Sequence, residues 1–244
     1  CGTSEPTVIR FCRSIGLQGF RELGIRLTEA VSQPASYVHR AVSADDAAAD
    51  AVAKVIDSSI QSLIDLRSQL SSMPYDRAVE VLLGARQIAF MGLGASGHVA
   101  TDAQHKFFRL GRPSSALTDT PTILQFAAIA EPGDVLVAIS NSGRWSDVAH
   151  ALAVARNNGA QVIALTEPTS PIARNADLVF SCDPPEDASV FPPMGSRIAQ
   201  LALLDALQVA FALALGPSAV ARMRSTKAAL AQASTHQAVE DAKA

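Results

Sequence analysis

From Tyr75 onward the chain alternates short extended runs with helix-like segments, and this alternation constrains the fold more than any other feature. The runs lie near Gln87–Met91, Ser115–Thr118, Val135–Ile139, Gln161–Thr166 and Leu178–Cys182. Gln87–Met91 and Val135–Ile139 read as buried strands. Strands separated by helices need crossover connections, so the spacing predicts an α/β fold with a parallel five-stranded sheet flanked by helices. With 48% apolar residues among 244, the chain can build one good-sized core and a smaller appendage.

Small-polar loops follow two of these runs: Gly92-Leu93-Gly94-Ala95-Ser96-Gly97, and Ser140-Asn141-Ser142-Gly143. In an open parallel sheet such loops gather at the carboxyl ends of the strands, where ligands bind. Backbone N–H groups and serine hydroxyls at helix N-termini suit a phosphate, since they donate hydrogen bonds into the positive end of the dipole. The spacing of Gly92, Gly94 and Gly97 also fits the dinucleotide fingerprint, with Asp119 at the end of the next strand. A third reading is a tight turn with no ligand. A dinucleotide leaves the Ser140–Gly143 loop unexplained, whereas a phosphorylated small molecule uses both loops.

The rest of the chain reads as helix. Ser4 is a suitable N-cap, Pro6 fits a first turn, and Val8, Phe11, Cys12 and Ile15 recur at helical spacing before Gly16. A second short helix is expected from Phe20 to Val31. Ser43, Asp45 and Asp46 read as the capped start of a long amphipathic helix to Ser72, its stripe carried by residues such as Val52, Ile56, Ile60 and Ile64. The last long helix is expected from Ser196 to Leu215, and the polar, alanine-rich end is expected to fray. Asp205 would cost roughly 2.5–3.5 kcal/mol near the centre of a bilayer, so Ile198–Leu215 reads as a core helix and no membrane partner is expected. The net charge of −3 excludes a protein that is basic throughout. Cys1, Cys12 and Cys182 lack metal-ligand spacing and fit a reducing, cytoplasmic location. No metal or cofactor is expected.

The segment Thr3-Ser4-Glu5-Pro6-Thr7-Val8-Ile9-Arg10-Phe11-Cys12-Arg13, followed by Gly16-Leu17-Gln18-Gly19-Phe20-Arg21-Glu22-Leu23, resembles the helix-turn-helix of RpiR-type bacterial transcription regulators. Gly92–Ser96, Lys106–Gly111, Ser140–Gly143 and Ser196-Arg197-Ile198-Ala199-Gln200-Leu201 resemble the sugar isomerase (SIS) domain of the same family, with its HexR-like branch the nearest. The resemblance implies a partial helix-turn-helix domain at 1–34, a linker helix at 35–74, a SIS domain at 75–217 and a C-terminal helix or tail at 218–244. It implies an effector that is a phosphorylated sugar or sugar acid, held by Gly94, Ser96, Ser140, Asn141, Ser142, Arg144, Ser196 and Arg197. It also implies operator DNA read by Ser4, Thr7, Arg10 and Arg13, and a homodimer or homotetramer.

A HexR-like member is expected to repress sugar-catabolism genes and to release DNA on binding 2-keto-3-deoxy-6-phosphogluconate. Two departures stand out. The family's earlier helices before the recognition helix are missing, so this fragment is expected to bind operator weakly or not at all. From Cys1 to Glu29 four arginines face three glutamates, a thin electrostatic footprint. In the second loop Trp145 stands where the family commonly carries a phosphate-holding threonine; Arg144 either compensates with a charge-assisted contact or points into solvent. The alternative is a SIS-class phosphosugar isomerase, with Asp102 or His105 as candidate base; the expectation here is a binder with no catalytic residues.

Overall fold

The structure is a computed structural model that describes residues 5–23, 39, 41–43, 45–181 and 194–241. The chain divides into two compact units, one within residues 1–57 and the other within 58–244.

In the first unit, helix α1 (Glu5–Ser14) carries Pro6 in its first turn and is terminated at Gly16, whose φ of +83° is a left-handed stop. Its stripe is divided: Cys12 is fully buried, whereas Phe11 and Ile15 are 55% and 51% exposed. Ser4 lies outside the described residues, as does most of the helix expected over 20–31; residues 20–23 are helical.

The long helix α2 (Ala48–Gln69) starts later than Ser43 for a local reason. Ser43 donates its backbone N–H to Asp46 at 2.8 Å, and the same carboxylate takes the Lys54 ammonium at 2.6 Å. These contacts form a separate turn, so Ser43 does not act as the cap. A short 3-10 turn, Leu70–Ser72, follows.

The second unit contains α3 (Tyr75–Gly84), β1 (Gln87–Met91), α4 (Ala95–Phe108), β2 (Ser114–Leu117), α5 (Thr120–Ile129) and β3 (Asp134–Ile139). It continues through α6 (Ser146–Asn157), β4 (Gln161–Thr166), the short α7 (Pro171–Arg174), β5 (Leu178–Ser181), α8 (Gly195–Leu215) and α9 (Pro217–Asp241). All strand pairs are parallel, in the order β2-β1-β3-β4-β5. The expected parallel five-stranded sheet is therefore present, with small shifts at strand ends. Ser114 pairs with Ile88 and draws β2 back by a residue. β3 begins at the fully buried Asp134, which receives Arg86 through two hydrogen bonds of 2.9 and 2.8 Å.

Alternation along the strands feeds two cores. Ile88, Phe90, Val135 and Val137 face α3, α4 and α8, where Phe107 stacks between Phe90 and Phe211 at centroid distances of 5.1 and 5.3 Å. Ala89, Met91, Leu136 and Ala138 face α5 and α6 through a core rich in alanine. That smaller lining lets the helices lie close to the sheet. Among the described residues α8 is the helix long and apolar enough to cross a membrane, but Leu203, Leu204, Leu207 and Phe211 bury one face in the core. The last helix runs to Asp241, in keeping with the helix propensity of its alanines, and the end of the segment expected to fray, 242–244, lies outside the described residues.

Candidate functional site

The strand order reverses direction between β1 and β3, and the loops that leave these strands meet at that point. Such switch points open a crevice at the carboxyl ends of a sheet. The first loop is shaped by Gly92, where a Cβ would lie 2.5 Å from the Ser96 carbonyl oxygen. Only glycine lets α4 start this close to the strand, which brings Ser96 to the helix's first turn. The second loop closes on itself. Ser140, 7% exposed, accepts the Gly143 N–H at its Oγ (3.1 Å), and Gly143 sits at φ +60° against Ser170 and Thr166.

A hollow of about 110 Å³ lies between these loops and the start of α8. Leu93, Ala95, Ser96, Ser140, Asn141, Ser142, Trp145, Ser196, Arg197 and Gln200 line it. The first turns of α4 and α8 both border it, so two helix N-termini, several serines and Arg197 line one volume. That combination favours an anion with hydrogen-bond acceptors. Among the described residues the lining holds no carboxylate and no imidazole. A larger hollow, about 580 Å³, lies at the opposite end of the strands beside Arg77, Arg156 and Gln161. Both arginines on its wall are already paired, Arg77 with Glu80 at 2.8 Å and Arg156 with Asp177 at 2.7 Å.

The structure brings Ser96, Ser140, Asn141, Ser142, Ser196 and Arg197 together at the smaller hollow. Gly94 does not line it but caps α4 at φ +57°. Arg144 is exposed and does not reach the wall. It acts on Glu167, whose carboxyl is held below the usual range first by the Thr169 hydroxyl and backbone N–H, and then by Arg144 and Arg174. Arg144 thus takes the solvent-facing of its two readings, and Trp145, 58% exposed, stands at the rim. Leu93, Ala95 and Gln200 also line it, although the sequence did not single them out as ligand contacts. Gln200 stood out only as part of the Ser196–Leu201 motif and as a polar residue within an apolar helix.

Asp119 bears on the dinucleotide reading. Its carboxylate caps α5, accepting the Thr122 N–H at 2.9 Å and the Thr122 hydroxyl at 2.8 Å, and these bonds depress its pKa. A ribose would have to compete with this cap. The candidate bases also lie off the wall. Asp102 is paired with Lys106 at 2.6 Å, Lys106 also binds Asp205, and His105 is exposed. In the first unit, Arg10 and Arg13 are exposed on α1 along with Thr7.

A doubly wound parallel sheet with serine-bearing loops at its switch point defines a SIS-type domain, and residues 81–210 match the SIS domain family. Residues 1–34 match the helix-turn-helix domain of the rpiR family. The chain is 42% identical to the HTH-type transcriptional regulator HexR of Pseudomonas aeruginosa, over 93% of this chain and 80% of that protein. It is 38% identical to HexR of Escherichia coli, over 93% and 78%. The solved structure of Vibrio vulnificus NanR complexed with ManNAc-6P superposes with a TM-score of 0.71 at 25% identity, covering 94% of this chain and 82% of that one. The chain belongs to the RpiR family of helix-turn-helix transcription regulators with a SIS domain.

Proposed function

We propose that this protein is a HexR-like regulator of sugar catabolism that senses a sugar phosphate in the hollow between the β1 and β3 loops. The observation that carries the reading is the convergence of Ser96, Ser142 and Ser196 with Arg197 on one volume at two helix N-termini. The effector is a phosphorylated sugar or sugar acid, with 2-keto-3-deoxy-6-phosphogluconate the first candidate. Trp145 at the rim offers an aromatic face to its carbon chain. The ligand complexed with NanR, a structural relative, supports this class of effector.

Operator DNA is the second partner, contacted by Ser4, Thr7, Arg10 and Arg13 in a helix-turn-helix segment at 1–34. A linker helix at 35–74, a SIS domain at 75–217 and a C-terminal helix at 218–244 complete the division. The protein works in the cytoplasm as a homodimer or homotetramer; exposed apolar residues on α2, such as Val52, Ile56 and Ile60, support such an assembly. Ligand affects DNA binding only if it favours one arrangement of the assembly over another. Repression follows if the ligand-free arrangement grips the operator.

The isomerase reading has less support, because no described carboxylate or imidazole lines the hollow. A thermal-shift titration of this chain with the candidate effector is expected to raise its melting temperature, because a ligand bound only by the folded state stabilises it. The rise is lost when Ser96→Ala and Ser142→Ala are combined. Catalytic turnover of a sugar phosphate by this chain would instead establish the isomerase.

A further inference from the structure

The serines and Arg197 account for a phosphate, but two polar atoms on the same wall have no task in holding one. Gln200 is 2% exposed on the second turn of α8, lines the hollow, and has no hydrogen-bond partner at Nε2 among the described residues. Asn141, in the second loop, lines the same hollow and likewise has none among them at its buried Oδ1. A buried polar atom left this way costs about 1–3 kcal/mol. Such atoms persist where a bound group completes the bond.

The chemistry of the two atoms differs in sign. Nε2 of Gln200 donates, whereas Oδ1 of Asn141 accepts. A phosphate dianion has no proton to give, so it leaves Oδ1 of Asn141 unsatisfied. A hydroxyl serves both, because it donates one hydrogen and accepts at two lone pairs. The hollow, about 110 Å³, is small enough for one hydroxyl or two adjacent ones to reach both walls.

Building on the sugar-phosphate reading above, we infer that Gln200 and Asn141 together recognise a hydroxyl on the carbon chain of the effector. They make the hollow selective for a hydroxylated organic phosphate over inorganic phosphate. Gln200 is thus a specificity-determining contact, while the serines hold the charge common to all phosphates. The two groups of residues separate what the ligand is from how strongly its anion is held.

Isothermal titration calorimetry on the wild-type chain tests this with glucose 6-phosphate, 6-phosphogluconate, 2-keto-3-deoxy-6-phosphogluconate and inorganic phosphate as probes. Quenching of Trp145, the single tryptophan of the chain, reports whether binding occurs at this hollow. At least one sugar phosphate is expected to bind tenfold or more tightly than inorganic phosphate. Gln200→Met, nearly isosteric but without the donor, is expected to weaken that sugar phosphate about tenfold and to change inorganic phosphate by less than about twofold. If no sugar phosphate binds the wild type, the effector reading itself fails. If one binds and Gln200→Met holds it equally well, the effector reading stands and the role of Gln200 is overturned. A measurement on the wild type alone covers the case in which the variant does not fold. Singly deoxygenated forms of the bound sugar phosphate should lose a similar factor at one position of the carbon chain. Equal affinity at every position overturns the inference.

Discussion

The two long helices α2 and α8 carry comparable apolar repeats and meet opposite fates. On α8, Leu203, Leu204, Leu207 and Phe211 are 1% exposed or less, packed with Phe107 and the face of the sheet. On α2, Val52, Ile56, Ile60 and Ile64 are 64%, 55%, 50% and 53% exposed, and Leu66 is among the few residues buried. A period of 3.6 residues says that a helix owns an apolar face. It does not say what covers that face. For α8 the cover is the chain's own sheet, whereas among the described residues the α2 stripe is left open, which is what the proposed homo-oligomer would cover.

The largest test of this contrast is Phe211→Ala on α8. It removes a ring that stacks on Phe107 at 5.3 Å and is expected to cost about 3–5 kcal/mol, read by urea denaturation of the monomeric state. A loss below about 1 kcal/mol would mean that α8 is not the core element described. Next comes Lys106→Met, which cuts the tie from α4 to Asp205 on α8 and leaves Asp102 without its ammonium. Because these groups are partly exposed, the expected loss is only about 1 kcal/mol in the same experiment.

The paired change Ile56→Ser and Ile60→Ser on α2 should leave the stability of the isolated chain within about 0.5 kcal/mol. Sedimentation should nevertheless show a smaller assembly than the wild type. Unchanged mass would separate the exposed stripe from oligomerisation.

Acid and alkali sharpen the contrast further, with the smallest effects. Ahead of α2, the Lys54 ammonium and the Ser43 N–H outweigh desolvation and hold the Asp46 carboxyl below its ordinary 3.8. Its contribution is complete above that value and fades as pH falls through the lowered one. On the α8 side, burial alone would lower the Lys106 pKa, but Asp102 and Asp205 overcome it and raise the ammonium above 10.5. That contribution is complete below 10.5 and fades as pH climbs through the raised value. Thermal melts across pH should therefore lose an acid-side slope in Lys54→Met and an alkaline-side slope in Lys106→Met. Identical slopes in variant and wild type would refute the assignment of either pair.

Much of the fold was legible along the chain. Strands at Gln87–Met91 and Gln161–Thr166 form where their apolar runs lie, because a fully covered parallel sheet demands continuous burial. The turn at Ser43 was not legible, because the exchange between Asp46 and Lys54 reaches across eight residues and competes with a local cap. In the site, the loop serines could be anticipated, since any βα loop in such a sheet ends at the same edge. Arg144 follows Gly143 in sequence yet misses the wall, while Gln200 looked like one polar residue in a hydrophobic helix.

The order of residues by itself determined which segments become strand or helix and which loops carry donors, because periodicity and turn chemistry are local. Only the tertiary structure decided which face of each helix is covered, which side chains share the hollow, and which polar atoms there lack a partner. Those outcomes depend on where distant elements approach one another, and no local pattern encodes that distance.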